Sequence, residues 1–252
     1  MPPWGNFDKR ISKISKGATV WRYIDLAKFV DLFVKRRLYF RRSDLLDDSF
    51  EGMPTAPLRE YLYDQYRDVH KVAGVFEDPV AVADQTLIEL RECNFINSWY
   101  LSEYESAAMW SLYSKIGSGI AIQSTVENLH AAIPLDIYIG KVIYVDYHVA
   151  DEIDHEDDLR SLFFIKRNYF EHEREIRVLY SISEDSRDPK KTGHYVDDVD
   201  LERMIRSVIL APDTPNWFRE SIEAFMQKVL PSIEVRESSL DAKPPIKSSK
   251  LM

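Results

Sequence analysis

Apolar positions along the chain change period several times, and each change marks an element. "ATVWRYI" is an apolar-rich run that predicts a strand ending near Ile24. Leu26, Phe29, Val30 and Phe33 then recur at helical spacing, before a second short strand in "RLYFRR". Beyond a loop carrying Gly52, Pro54 and Pro57, "PLREYLYDQYRDVHKVAG" and "DPVAVADQTLIELREC" each show helical spacing behind a proline-marked start. They predict a helical insertion near residues 57–93.

Extended structure returns at "CNFINSWYL", and Ser102 with Glu105 has the spacing of a capping box that starts a helix over "EYESAAMWSLYSK", closed by Gly117. The strand "GIAIQS", a short helix around "VENLHAA" and the strand-rich "LDIYIGKVIYVDY" follow, bounded by glycines or prolines. An acidic loop, "DYHVADEIDHEDD", precedes "LRSLFFIKRNYF", read as a helix, which delivers the chain into "FEHEREIRV", read as a strand. A polar loop around "DSRDPKKTG" leads to a buried strand in "MIRSVILAP", and Thr214 with Pro215 is placed to cap a helix over "NWFRESIEAFMQKVL". The succession predicts an α+β protein: a mixed, mainly antiparallel sheet core with peripheral helices. It predicts one globular domain over 1–236 and a flexible tail over 237–252, with no internal repeat.

Composition narrows this further. The 252 residues suffice for a full core, and 45% hydrophobic, 30% charged and 12% aromatic residues are globular values. With 33 Lys and Arg against 42 Asp and Glu, the net charge of -9 argues against broad nonspecific DNA binding. Cys93 is the only cysteine, so the chain can build no internal disulfide and no thiolate zinc site. No uncharged apolar run approaches the roughly 20 residues of a membrane span, and the start lacks an apolar leader core. The expectation is a cytoplasmic protein without membrane attachment.

Candidate chemistry begins in "FEHEREIRV". On a strand, Glu173, Glu175 and Arg177 share one face while Ile176 and Val178 take the other, so the spacing makes a carboxylate pair. The same pattern also fits a half-exposed strand whose acids are neutralised by the neighbouring Arg. Arg22 lies in the first strand between Trp21 and Tyr23 and can hold a phosphate or carboxylate, or simply pair with Asp25. Ser124 and Thr125 end a strand, where such residues commonly cap the next helix.

Taken in order, Arg22, Ser124 with Thr125, and Glu173-Arg174-Glu175 resemble the Arg, Ser-Thr-Ser, Glu-x-Glu pattern of ADP-ribosyltransferases. Val126 replaces the third serine, and the helical insertion lengthens the gap between the first two motifs. The resemblance implies an ADP-ribosyltransferase-like fold and NAD as substrate, with no metal required and a protein or nucleic acid as acceptor. It gives Glu175 the catalytic role of stabilising the oxocarbenium ion as nicotinamide leaves, and Glu173 that of orienting the nucleophile. Arg22, Tyr23, Ser124 and Thr125 become the cofactor-binding set, and Tyr169 and Phe170 are placed to stack on nicotinamide or to join the core. Such chemistry needs a fixed carboxylate beside developing positive charge.

"LYFRRSDLLDDSFEG", "NSWYLSEYESAAMWSLY", "GIAIQST" and "FIKRNYFEHEREIRV" together resemble a bacterial family catalogued as domain of unknown function 2971, a likeness that covers most of the chain and implies a fold group rather than a reaction. Two other readings stand beside the transferase. Asp44, Asp47, Asp48 and Glu51, with Glu103 and Glu105, offer oxygen ligands for a metal-dependent nuclease, or else cap turns and pair with Arg41 and Arg42. The acidic loop with His148 and His155 reads as a solvated loop, with a metal site as the alternative. A noncatalytic sensor or interaction module, in bacterial stress or phage defence, is the remaining reading.

Overall fold

The computed structural model describes residues 13–73, 78–113, 117–149 and 158–244. The architecture is α+β with a mainly antiparallel sheet. Strand β1 (Thr19–Ile24) runs into helix α1 (Leu26–Lys35), where the Asp25 carboxylate accepts from the Lys28 amide at 2.9 Å and starts the helix. Arg36, in the left-handed region at φ 49°, ends it. Phe29, Leu32 and Phe33 form the buried face, and each contributes roughly 1.5–3 kcal/mol by leaving water. The helical stripe is thus rotated from the expected one: Leu26 and Val30 are exposed.

Strand β2 (Leu38–Arg42) is followed by a 3-10 turn, and the insertion takes the form of α2 (Ala56–Ala73) and α3 (Pro79–Glu92). Then come β3 (Asn94–Leu101), α4 (Ala107–Tyr113), β4 (Ile120–Thr125), α5 (Val126–Ala132), β5 (Tyr138–Lys141) and β6 (Ile143–Val145). The rest of the chain supplies β7 (Ile165–Arg167), β8 (Glu175–Ser181), β9 (Gly193–Val196), α6 (Leu201–Met204), β10 (Ser207–Leu210), α7 (Asn216–Val229) and β11 (Glu234–Arg236). Among the described residues, no helix is long and apolar enough to cross a membrane.

Nine strands form one sheet, ordered β11-β10-β4-β1-β3-β2-β9, with β8 joining β3 to β5; β6 and β7 pair separately. All pairs in the large sheet are antiparallel except β10 with β11. Strand β8 pairs with β3 along its whole length, Asn94↔Ser181 to Tyr100↔Glu175, and so occupies one edge of β3. A strand has two edges, so β1 and β2 share the other: β1 pairs at Tyr100 and Leu101, β2 at Phe95 and Ile96. The two strands fork around residues 97–99. Arg22 Nη1 donates to the Ser98 carbonyl at 2.8 Å and Asn97 Nδ2 to the Tyr39 carbonyl at 2.9 Å, bridging the fork from either side.

One sheet face carries Val20, Ile24, Ile120, Ile122, Trp99, Ile176 and Val178 under α1, α5, α6 and α7; this is the main core. The other face carries Trp21, Tyr23, Tyr100 and Ala121 against Met109 and Trp110 of α4, and farther along Ile96 and Leu179 against Phe163 and Phe164.

Several local expectations are corrected. Helix α4 starts at Ala107, five residues after Ser102, because Glu105 turns to other partners instead of closing a capping box. Thr214 does not cap α7: its hydroxyl bonds the Ala211 carbonyl, and Pro215 stands at the cap position. Strands β9 and β11, short and flanked by polar residues, give no periodic signal. The chain also stays tied down past residue 237: Ser238 and Ser239 bond Glu105, and Asp241 accepts from the Asp213 amide at 3.1 Å.

Candidate functional site

The segment expected as one helix over "LRSLFFIKRNYF" is two 3-10 turns, Leu159–Phe164 and Asn168–Glu173, on either side of β7. Leu162, Phe163, Phe164 and Ile165 are all fully buried in succession, which a helix with one solvent face cannot accomplish. Arg174, at φ 41°, then turns the chain through the left-handed region into β8. Glu173 therefore closes a turn and Glu175 opens a strand, so the two acids do not meet by strand alternation. They meet because β7 brings Lys166 between them.

The Lys166 ammonium lies 2.6 Å from Glu173 Oε2, 2.6 Å from Glu175 Oε1 and 3.3 Å from Glu51 Oε1. Arg177 is wholly buried and forks between two acids: Nη1 and Nη2 contact Glu51 at 2.7 and 2.8 Å, and Nε contacts Glu175 Oε2 at 2.7 Å. Its Nη1 also donates to the Phe163 carbonyl at 2.7 Å. The Ser98 hydroxyl adds a bond to Glu175 at 3.0 Å, and the Glu175 amide donates to the Tyr144 hydroxyl at 2.8 Å. Glu173 has a different second partner, the Tyr113 hydroxyl at the end of α4, at 2.8 Å. Phe170 covers the ammonium at 4.6 Å, and Arg167 stacks on Phe50 at 4.6 Å while bridging to Asp48 at 2.7 Å.

These surroundings separate the two glutamates. Burial alone would raise Glu175, but Arg177 and Lys166 overcome it and hold the carboxyl well below the usual range. Burial and the neighbouring Glu175 charge raise Glu173, and Lys166 only partly offsets them. Burial and the same acids push the Tyr113 phenol up. When all three carboxyls are ionised, Glu51, Glu173 and Glu175 set three negative charges against the two positive charges of Lys166 and Arg177. In that state the cluster is one positive charge short, and Glu173, whose pKa is raised, is the acid that takes up a proton first.

The remaining predicted site residues are elsewhere. Arg22 alternates with Val20 and Ile24, and Ser124 with Ile122, all on the main-core face; Glu175 and Arg177 alternate with Ile176 and Val178 and so face the opposite way. The sheet thus stands between Arg22 and Ser124 on one side and Glu175 on the other, whereas Tyr23 lies on the Glu175 side with Trp110. Arg22 does not pair with Asp25, which binds Lys28; its guanidinium sits at the β1–β2 fork beside Trp99, and burial lowers its pKa to about 10. Ser124 is fully buried and bonds the Met204 carbonyl, and Thr125 caps α5 by accepting from the Asn128 amide at 3.2 Å. Tyr23 packs edge-on to Trp110 at 4.8 Å and accepts from the Ser106 amide at 2.8 Å. Tyr169 is largely exposed, while Phe170 borders the cluster.

The acidic stretch before the insertion disperses over separate cations: Asp44 on Arg42 at 2.6 Å, Asp48 on Arg167, and Glu51 on Arg177 and Lys166. Among the described residues, no group of three or more His, Cys, Asp or Glu is arranged to hold a metal. Where three carboxylates do converge, an ammonium occupies their centre. Most of the acidic loop, with His155, lies outside the described residues; His148 is inside them, and its amide bonds Asp146 at 2.9 Å. Lys166, Tyr113, Tyr144 and Ser98 were not singled out by sequence reasoning. The one usable signal was Lys166 itself, a charge directly after the buried run ending at Ile165.

No protein-family model matches the chain, and neither a curated protein nor a solved structure does.

Proposed function

We propose that this protein is an enzyme that cleaves the N-glycosidic bond of NAD, as an ADP-ribosyltransferase or NAD glycohydrolase does, with Glu173 as its working carboxylate. The observation that carries the reading is the charge imbalance around Lys166. A buried cluster lacking one positive charge favours a cation more as that charge develops, and the ribosyl group becomes cationic when nicotinamide departs.

In this scheme the ribose C1′–N bond breaks and its electron pair leaves with neutral nicotinamide. A water, or a hydroxyl of a protein or nucleic-acid acceptor, forms the new C1′–O bond and gives its proton to Glu173. The raised pKa of Glu173 makes it a better proton acceptor than an ordinary carboxylate. Glu175 remains ionised and, through Lys166, fixes where Glu173 stands. Phe170, over the same ammonium, offers a ring face to the substrate. The roles of the two glutamates are thereby exchanged relative to the motif, and Arg22, Tyr23, Ser124 and Thr125 are left with structural work.

The test is to incubate the protein with NAD and quantify nicotinamide by chromatography, alongside Glu173→Gln. Release by the unmodified protein that Glu173→Gln loses supports the proposal. Absence of both release and calorimetric NAD binding overturns it.

A further inference from the structure

Helix α4 is two turns long, and its ends are fastened to different parts of the molecule. At its C-terminal end, Tyr113 donates to Glu173 in the charge cluster. Ahead of its N-terminal end, Glu105 is held by the segment that follows β11. Glu105 Oε2 accepts from Trp110 Nε1 at 2.9 Å and from the Ser238 hydroxyl at 2.6 Å, and Oε1 accepts from the Ser239 hydroxyl at 2.6 Å and from the Ser239 amide. One carboxylate thus joins the helix to a stretch more than a hundred residues away in sequence. Tyr23 adds a fixed point, its hydroxyl accepting from Ser106 and its ring packed on Trp110.

From these contacts we infer that Glu105 is a positioning residue: the Glu105–Ser238–Ser239 latch sets the seating of α4 and thereby the hydrogen bond from Tyr113 to Glu173. Four donors on one carboxylate strongly favour its ionised form, and burial does not prevent Glu105 from being held below the usual carboxylate range. A two-turn helix has little stability of its own, so its position is set by what it is fastened to. The inference concerns the geometry of the cluster and is independent of which substrate the cluster serves.

Two variants open the latch for different reasons. In Glu105→Gln, the amide must direct its NH2 toward either Trp110 Nε1 or the Ser239 amide, both of which can only donate. In Ser239→Asp, a second carboxylate is placed against Glu105, and like charges repel. Ser239→Thr keeps the hydroxyl and serves as the conservative control. Two readouts on the full chain are needed: hydrogen exchange of residues 237–241, which reports the latch, and the NMR resonance of the hydroxyl-bearing ring carbon of Tyr113, which reports its bond to Glu173. Exchange accelerated by about 10-fold or more in both latch variants, corresponding to roughly 1.4 kcal/mol, with the Tyr113 resonance moving toward that of a tyrosine without a carboxylate partner and Ser239→Thr unchanged, is the expected result. Accelerated exchange with an unmoved Tyr113 resonance overturns the coupling. Unaltered exchange in both variants overturns the latch.

Discussion

Glu173 and Glu175 contact the same ammonium at the same distance, 2.6 Å, and differ in what else they touch. Glu175 also has Arg177 and Ser98, while the other partners of Glu173, the Tyr113 phenol and the Glu175 carboxyl itself, bring it no further positive charge. Their substitutions should therefore diverge. Glu175→Gln leaves Arg177 and Lys166 underpaired in the interior and should cost roughly 3–5 kcal/mol in urea unfolding. Glu173→Gln removes the excess charge, so its stability should match or exceed that of the unmodified protein while nicotinamide release falls about 100-fold or more. Equal destabilisation by both would make the pair a single structural unit.

The elevated Glu173 carboxyl gives a signed pH dependence. Above the ordinary glutamate value of 4.5 the unfolded chain has released this proton while the folded protein retains it, so stability declines as pH rises from there through the folded value. Glu175 has the opposite sign: its contribution is complete above 4.5 and is lost as pH falls toward its depressed folded value. Unfolding free energies measured across this range should lose their upper decline in Glu173→Gln alone. A decline that persists in that variant assigns it to another group.

Arg22→Ala tests the separation of the motif by the sheet. If Arg22 serves the β1–β2 fork, its loss strips the Ser98 carbonyl of a donor and costs about 1–3 kcal/mol, leaving the proposed NAD binding by the folded protein unchanged. Calorimetry on the folded variant checks this, and a large loss of affinity would return Arg22 to the binding site.

Much of the sheet was legible because its strands are apolar runs with clear ends: β1, β3, β4 and β10 lie where the pattern puts them. The insertion was legible from its prolines. What stayed hidden were features decided by contacts between distant segments. The stripe on α1 keeps Phe29 and Phe33, on which Phe225 of α7 packs at 5.7 and 6.3 Å, but takes Leu32 in place of Val30, and nothing local favours one over the other. The nearness of Glu173 and Glu175 was read correctly from an incorrect premise, since Arg174 breaks the alternation and Lys166 restores the meeting. Glu51 stands 126 positions from Arg177, and no spacing rule reaches that far.

Gly52 is where the cluster meets backbone geometry. Its φ is +70°, and an added Cβ would fall 2.5 Å from Phe163 Cε1. Gly52→Ala should lower stability by about 1–3 kcal/mol and, by shifting the adjacent Glu51, reduce nicotinamide release as well; unfolding and product assays on the same preparation check both. A stable, fully active Gly52→Ala protein would show that the turn can relax without moving Glu51.

The chain leaves the sheet after Arg42 and is back on it at Asn94, one residue before Phe95, the Cα partner of Arg42 across β2 and β3. Everything between is a closed excursion, a module in the sense used for circular permutation and domain grafting, because removing it need not move either strand. Its tether is part electrostatic and part apolar, Leu87 of α3 being buried with Tyr147, Leu162 and Ile165. Glu51 lies on the outgoing limb, before the two helices, and supplies Arg177 with one of its two carboxylates. The outer faces of the helical pair are exchangeable in principle, whereas the limb that precedes it and the Leu87 face of α3 belong to the interior, and the boundary between replaceable and irreplaceable sequence falls inside the insertion rather than at its edge.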